Sequence, residues 1–134
     1  MPTARLVVDF GLVVLIWLVQ LIIYPSFRYM SPEQLAIWHP KYTTLITLVV
    51  GPLMLAQVAV IGWEVVSRFS WLALISALLV GFTWFSTAFQ AVPLHNQLGA
   101  GMNVSDTIER LIQVNWSRTV VWTLIFLLGL VRKG

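Results

Sequence analysis

Two histidines and one arginine carry the chemistry most legible in this 134-residue chain. His39 stands before Pro40 at the mouth of one apolar segment, and His95 falls in Pro93-Leu94-His95-Asn96 just after another. An imidazole titrates close to neutrality, so either ring is suited to general acid or base work. Arg118 opens a further apolar segment, where a guanidinium must either reach water or face a partner. No acidic side chain stands opposite it in the pattern, so an anionic or carbonyl ligand is expected, with charge on an enolate or phenolate oxygen held there. On this reading His95 is the acid/base or polarising group, His39 assists it and Arg118 binds the oxygen. The same two histidines also fit the axial positions of a haem, as an alternative. No metal ligand set is assigned, because the paired Glu and Glu-x-x-His pattern of di-iron bundles is absent.

Other polar residues repeat with helical spacing around these three. Positions three, four and seven apart share a helix face. Asp9, Trp17, Gln20 and Tyr24 fall in one sector of about 80° at 100° per residue. His39, Thr43, Thr47, Met54 and Gln57 make a second stripe, Thr83, Ser86, Thr87 and Gln90 a third, and Asn115, Arg118, Thr119 and Trp122 a fourth. Four helices that turn these stripes inward enclose a pocket lined by Gln20, Tyr24, Thr47, Thr83, Thr87, Gln90, Asn96, Asn115 and Trp122. Gln90, Asn96 and Asn115 are expected to orient a ligand, and Trp17, Trp84 and Trp122 to offer flat walls. Thr83 lies ten residues before Pro93, so the pocket would reach roughly 15 Å deep. Hydroxyls alone more often serve as glue between or within helices.

Four apolar segments must position these groups: 6–24, 43–63, 71–92 and 116–131. Each approaches the ~20 residues that cross a bilayer. With four spans, both long links lie on one face of the membrane and both termini on the other; the polar stripes are densest toward the links. Ser31-Pro32-Glu33-Gln34 and Asp106-Thr107-Ile108-Glu109 resemble helix-start boxes. They predict two short helices lying at the membrane surface within the links. The fold expected is an all-α integral membrane four-helix bundle, one domain over residues 1–134, with two such interfacial helices. Gln57 is expected to bond backbone freed by Pro52, Glu64 to be solvated beside Arg68, and Asp9 to pair with Arg5.

Composition sets the outer limits. The chain is 59% hydrophobic and 10% charged, against ~25% charged for soluble domains, so it belongs to the bilayer. A dispersed net charge of +3 offers no basic run for nucleic acid. With no cysteine, thiolate metal sites and cysteine nucleophiles are excluded. Arg5, Arg68, Arg132 and Lys133 mark the terminus side; Arg28, Lys41, Arg110 and Arg118 mark the link side. The close flanking of spans by the first set favours cytoplasmic termini in a bacterial inner membrane.

Pro93-x-His95-x-x-Leu98, Asn115-Trp116-x-Arg118, Tyr24-Pro25, Trp38-His39 and Pro52-x-Met54 resemble motifs of small bacterial four-helix membrane proteins distantly similar to the anthrone-oxygenase-like family. The resemblance implies a four-helix fold and oxygen chemistry on an aromatic substrate. In that family's pattern an asparagine follows the proline by two positions, where this chain has His95. The function expected is a membrane pocket for a hydrophobic or aromatic small molecule, acting as an oxidoreductase or oxygenase. In a cofactor-free version, O2 reacts with the deprotonated substrate. The alternative from another class is a non-catalytic subunit, in a homo-oligomer or a larger membrane complex, whose pocket holds a cofactor or lipid.

Overall fold

A computed structural model describes residues 2–133, without the side chains of residues 2 and 133; the expectation for Lys133 lies outside the described side chains. Four helices are long and apolar enough to cross a membrane: α1 (Thr3–Tyr29), α2 (Pro32–Ser67), α3 (Trp71–Gly99) and α4 (Val104–Arg132). No strand occurs among the described residues. α1 packs against α2 and α4, and α3 packs against the same two. The four therefore form a ring of antiparallel neighbours, with the two links that follow α1 and α3 at one end.

The helices outrun the apolar segments at the link end, which corrects the expected surface helices. Separate short helices are not found in the links among the described residues. The Ser31 capping box exists: Ser31 Oγ accepts from the Gln34 amide and Gln34 Oε1 accepts from the Ser31 amide. It starts α2 itself, which runs through Pro40 without a break. Proline removes the bond to the Ala36 carbonyl, yet the turns on both sides keep the helix whole, and Thr43 and Thr44 donate to the Pro40 carbonyl. The second box is not formed. Asn103 adopts a positive φ of 45° and Gly101 one of 71°, so the chain turns tightly there. α4 then begins at Val104, which leaves Asp106 inside its first turn.

Two breaks in α-helical winding flank the site. A π turn spans Val19–Ile23 in α1, and another spans Thr87–Ala91 in α3. Each ends two residues before a proline, Pro25 and Pro93, whose missing amide cannot complete an α-helical bond to the preceding turn. π turns wind by less than an α-turn per residue, and they re-aim the side chains on the next turns of the helix.

The terminus end is closed by an ionic clasp. Arg5, 2% exposed, donates through Nε to Asp9 (3.0 Å), through Nη1 to Glu64 (2.8 Å) and through Nη2 to Ser76 Oγ and the Ile125 carbonyl. One side chain thus ties all four helices. Gly129 makes room for it, since a Cβ there would stand 3.0 Å from Arg5 Nε. Two expectations are corrected here. Glu64 is buried and also meets Arg132 at 3.5 Å, because the inward-facing Arg5 is a stronger partner than a solvated Arg68. Gln57 does not serve the backbone near Pro52: it donates to Asp9 Oδ1 and accepts from Trp122 Nε1. Between clasp and links the core is Leu12, Ile16, Val19, Val80, Ile125 and their neighbours.

Candidate functional site

At the link end every helix contributes at least one member to a continuous polar network. α1 brings Tyr24, α2 His39, α3 His95 and Thr87, and α4 Arg118. Tyr24 Oη lies 2.8 Å from His95 Nε2, and His95 Nδ1 lies 2.9 Å from His39 Nε2. The two imidazoles stack with centroids 5.1 Å apart and planes at 24°. Arg118 Nη2 donates to Tyr24 Oη at 3.4 Å and to Asn115 Oδ1 at 2.7 Å, and Nη1 donates to Thr87 Oγ1 at 3.2 Å. Gln20 braces this arginine from behind: its Oε1 accepts from Asn115 Nδ2 and Thr119 Oγ1, while its Nε2 donates to the Ile112 carbonyl.

The local helix geometry explains these positions. Thr83, Thr87, Ala91 and His95 recur every four residues, a spacing that drifts around a regular α-helix. The slower winding of the π turn cancels that drift and keeps Thr87, Ala91 and His95 on the inner side. The same correction turns Gln90 outward. Its spacing in the sequence points it into the pocket; it is exposed and accepts from Ser86 Oγ instead.

A cavity of about 430 Å³ adjoins the network, within the usual range of about 300–1,000 Å³ for small-molecule sites. Of the residues expected from the sequence, Tyr24, His39, Thr47, Thr87, His95, Asn96, Arg118 and Trp122 line it. Gln20 and Asn115 do not; they are buried behind Arg118 and hold it. Thr83 does not line it either, since its hydroxyl donates to the Val80 carbonyl of its own helix. Trp17 and Trp84 are also outside the lining: Trp17 bonds Thr123 Oγ1 at 3.1 Å, and Trp84 faces outward. Tyr42 lines the cavity and was missed, although it lies three residues past His39 on α2, a spacing that places it near the same face. Gly99 was missed as well. A Cβ there would come 3.7 Å from His39 Nδ1, an ordinary contact, so the backbone of Gly99 passes close to that ring. Leu15, Ile16, Val19, Ile46 and Val50 supply the apolar wall.

The hydrogen-bond chain has two proton arrangements. A guanidinium only donates, so Tyr24 Oη accepts from Arg118. In one arrangement Tyr24 then donates to His95 Nε2, and His95 Nδ1 donates to His39 Nε2. In the other, His39 Nε2 donates to His95 Nδ1, His95 Nε2 donates to Tyr24, and the tyrosine proton is free to point into the cavity. Passing from one to the other carries a proton between the cavity and His39 Nδ1 with little movement of heavy atoms. His95 has both nitrogens engaged by protein, and Tyr24 stands between it and Arg118.

A haem held between the two histidines does not fit this arrangement. The facing nitrogens are 2.9 Å apart and bonded to each other, which leaves no room for a haem between the two rings. Among the described residues no group of three His, Cys, Asp or Glu side chains is placed to hold a metal ion.

Arg118 is 7% exposed, and its Nε is the one buried side-chain nitrogen or oxygen without a hydrogen-bond partner among the described residues. A buried donor left unmet carries a desolvation cost of about 1–3 kcal/mol, more when charged. Compared with protein-family models, with curated proteins and with solved structures, the chain matches none.

Proposed function

We propose that this protein is a bacterial inner-membrane oxidoreductase or oxygenase-like enzyme that binds a hydrophobic, aromatic or quinone-like compound in the link-end cavity. The single observation that carries the reading is the unbroken series Arg118–Tyr24–His95–His39 along one wall of a cavity whose opposite wall is apolar. Arg118 holds developing negative charge on a substrate oxygen. Tyr24 exchanges a proton with the substrate, and His95 and His39 relay it toward the link-side surface. A deprotonated, electron-rich aromatic substrate reacts with O2 directly, which matches the distant resemblance to the anthrone-oxygenase-like family. The termini are assigned to the cytoplasm, because Arg68 and Arg132 flank the spans closely on that side.

Oxygen uptake with anthrone as probe tests this reading. The balanced reaction is anthrone plus O2 to anthraquinone plus water. Protein in lipid nanodiscs is expected to speed uptake at least tenfold over His95→Gln, which keeps much of the side chain's bulk but cannot relay a proton in the same way. Uptake no faster than empty nanodiscs, or equal in His95→Gln, would overturn the activity.

A further inference from the structure

The two ends of the bundle differ in charge balance. At the terminus end Arg5 and Arg132 meet Asp9 and Glu64, two cations on two carboxylates. At the link end Arg118 is buried among neutral partners, Thr87, Tyr24 and Asn115. The remaining acids of the chain, Glu33, Asp106 and Glu109, are all exposed, and Glu109 is held outside by Arg28 at 2.6 Å. Hydrocarbon penalises an uncompensated charge. The cavity therefore lacks one negative charge, next to a guanidinium whose Nε–H has no partner among the described residues.

The cavity's opening says where that charge comes from. Its outer lips are exposed residues of two helices, Pro40 and Thr47 on α2 and Val92 and Asn96 on α3. Val50, also on the lining, lies 11 residues past His39, about 16 Å along the helix. The hydrocarbon core is about 30 Å thick, so most of this slit faces acyl chains and little of it faces water. A small hydrophilic anion would find little water along this opening and would be seated against leucine, isoleucine and valine.

We infer that the cavity takes a bilayer-dissolved, monoanionic amphiphile, a carboxylate, phenolate or enolate on a hydrophobic body, which enters sideways between α2 and α3 and sets its oxyanion against the Arg118 guanidinium. This rests on the small-molecule reading above and narrows its substrate class to lipophilic acids reached from the membrane. The polar head meets Arg118 and Tyr24, and the body lies along the apolar wall toward Val50 and the lips.

The test titrates the full chain in phosphatidylcholine nanodiscs with radiolabelled dodecanoate and 2-naphthoate, and with their neutral counterparts dodecan-1-ol and 2-naphthylmethanol, after subtraction of empty nanodiscs. At least one acid is expected to saturate at one per chain and to bind tenfold or more tightly than its alcohol. Arg118→Gln should erase that preference and Arg118→Lys should retain it. Thr47→Trp, on an exposed lip that bears no packing of the core, should lower binding of the acids severalfold. Acids no tighter than their alcohols, or a preference that survives in a folded Arg118→Gln, would sink the anion. Unchanged binding in Thr47→Trp would sink the lateral route, and it needs no change to the buried network. If Thr47→Trp blocks alcohols and acids alike and the two bind equally, the small-molecule reading stands and the acid class falls; if none of the four binds, both fall.

Discussion

Tyr24 and Arg5 show how differently polar residues act at the two ends of one bundle. Tyr24→Phe keeps the ring's contact with Phe27, 5.9 Å between centroids, and removes only the oxygen shared by His95 and Arg118. Stability should fall by about 1 kcal/mol, the net worth of an ordinary hydrogen bond. Anthrone-dependent oxygen uptake should fall about 100-fold, the lower range for losing a proton-transfer group. A parallel loss of both by similar small amounts would instead mark the tyrosine as packing alone. Asp9→Ala probes the other end. It strips a carboxylate from a buried arginine, a change that costs about 3–5 kcal/mol when the remaining charge has no escape. Arg28→Ala breaks the exposed pair with Glu109 and should cost under about 1 kcal/mol. Thermal unfolding followed by intrinsic fluorescence in detergent orders these variants, and Asp9→Ala no worse than Arg28→Ala would refute the clasp as the closure of the terminus end. Sequence spacing exposed the Arg5–Asp9 pair, since the two are one turn apart. It could not expose Glu64 as their partner, which lies 59 residues away from Arg5.

At the scale of the helix, the π turns decide which polar residues face the cavity. A π turn holds one residue more than the α-turn it replaces. Deleting exposed Ala88 from the Thr87–Ala91 turn should therefore let the helix close as regular α while His95 keeps its facing. Deleting exposed Leu78, in regular winding, should swing everything beyond it by about 100°. The expected outcome is a folded protein with the Ala88 deletion and a much less stable or unfolded one with the Leu78 deletion, as read by size-exclusion profile and melting temperature. Equal tolerance of both deletions would count against the turn. The same feature explains where helical-wheel reasoning succeeded and where it failed. Asn115, Arg118, Thr119 and Trp122 lie in regular α4, and all four are buried as their spacing implies. Gln90 lies inside a π turn, where a constant 100° per residue does not hold, whereas Thr83 precedes the turn and is buried as its spacing implies. The absent surface helices have a related cause. A capping box marks where a helix starts, but the box alone does not say how far it runs, and Pro40 did not stop it.

For the whole molecule, the ring of four antiparallel helices puts both links on one side and both termini on the other. The chain has no cysteine, so single cysteines report sidedness cleanly. Met102→Cys in the second link should react with a membrane-impermeant maleimide added outside intact cells, and Phe69→Cys at the opposite end should react only after permeabilisation. The reverse pattern would invert the assigned orientation and would leave the fold untouched. The closed ionic clasp at one end and the slit beside Arg118 at the other give the bundle a direction, and the lateral route proposed above runs through the link half.

Composition and hydrophobic run length by themselves determined that this is a four-helix membrane protein, because a bilayer admits few ways to satisfy a backbone and each span must be about 20 apolar residues long. Periodicity went further and picked out most of the inward-facing polar residues, since regular helices repeat their faces. Tertiary structure alone decided which polar groups touch. Whether Glu64 is solvated or buried, whether the His95 nitrogens are free or bonded to Tyr24 and His39, and whether Arg118 has a carboxylate all depend on distances between helices far apart in sequence. Those distances are set by how four helices pack side by side, and a one-dimensional pattern holds no record of that.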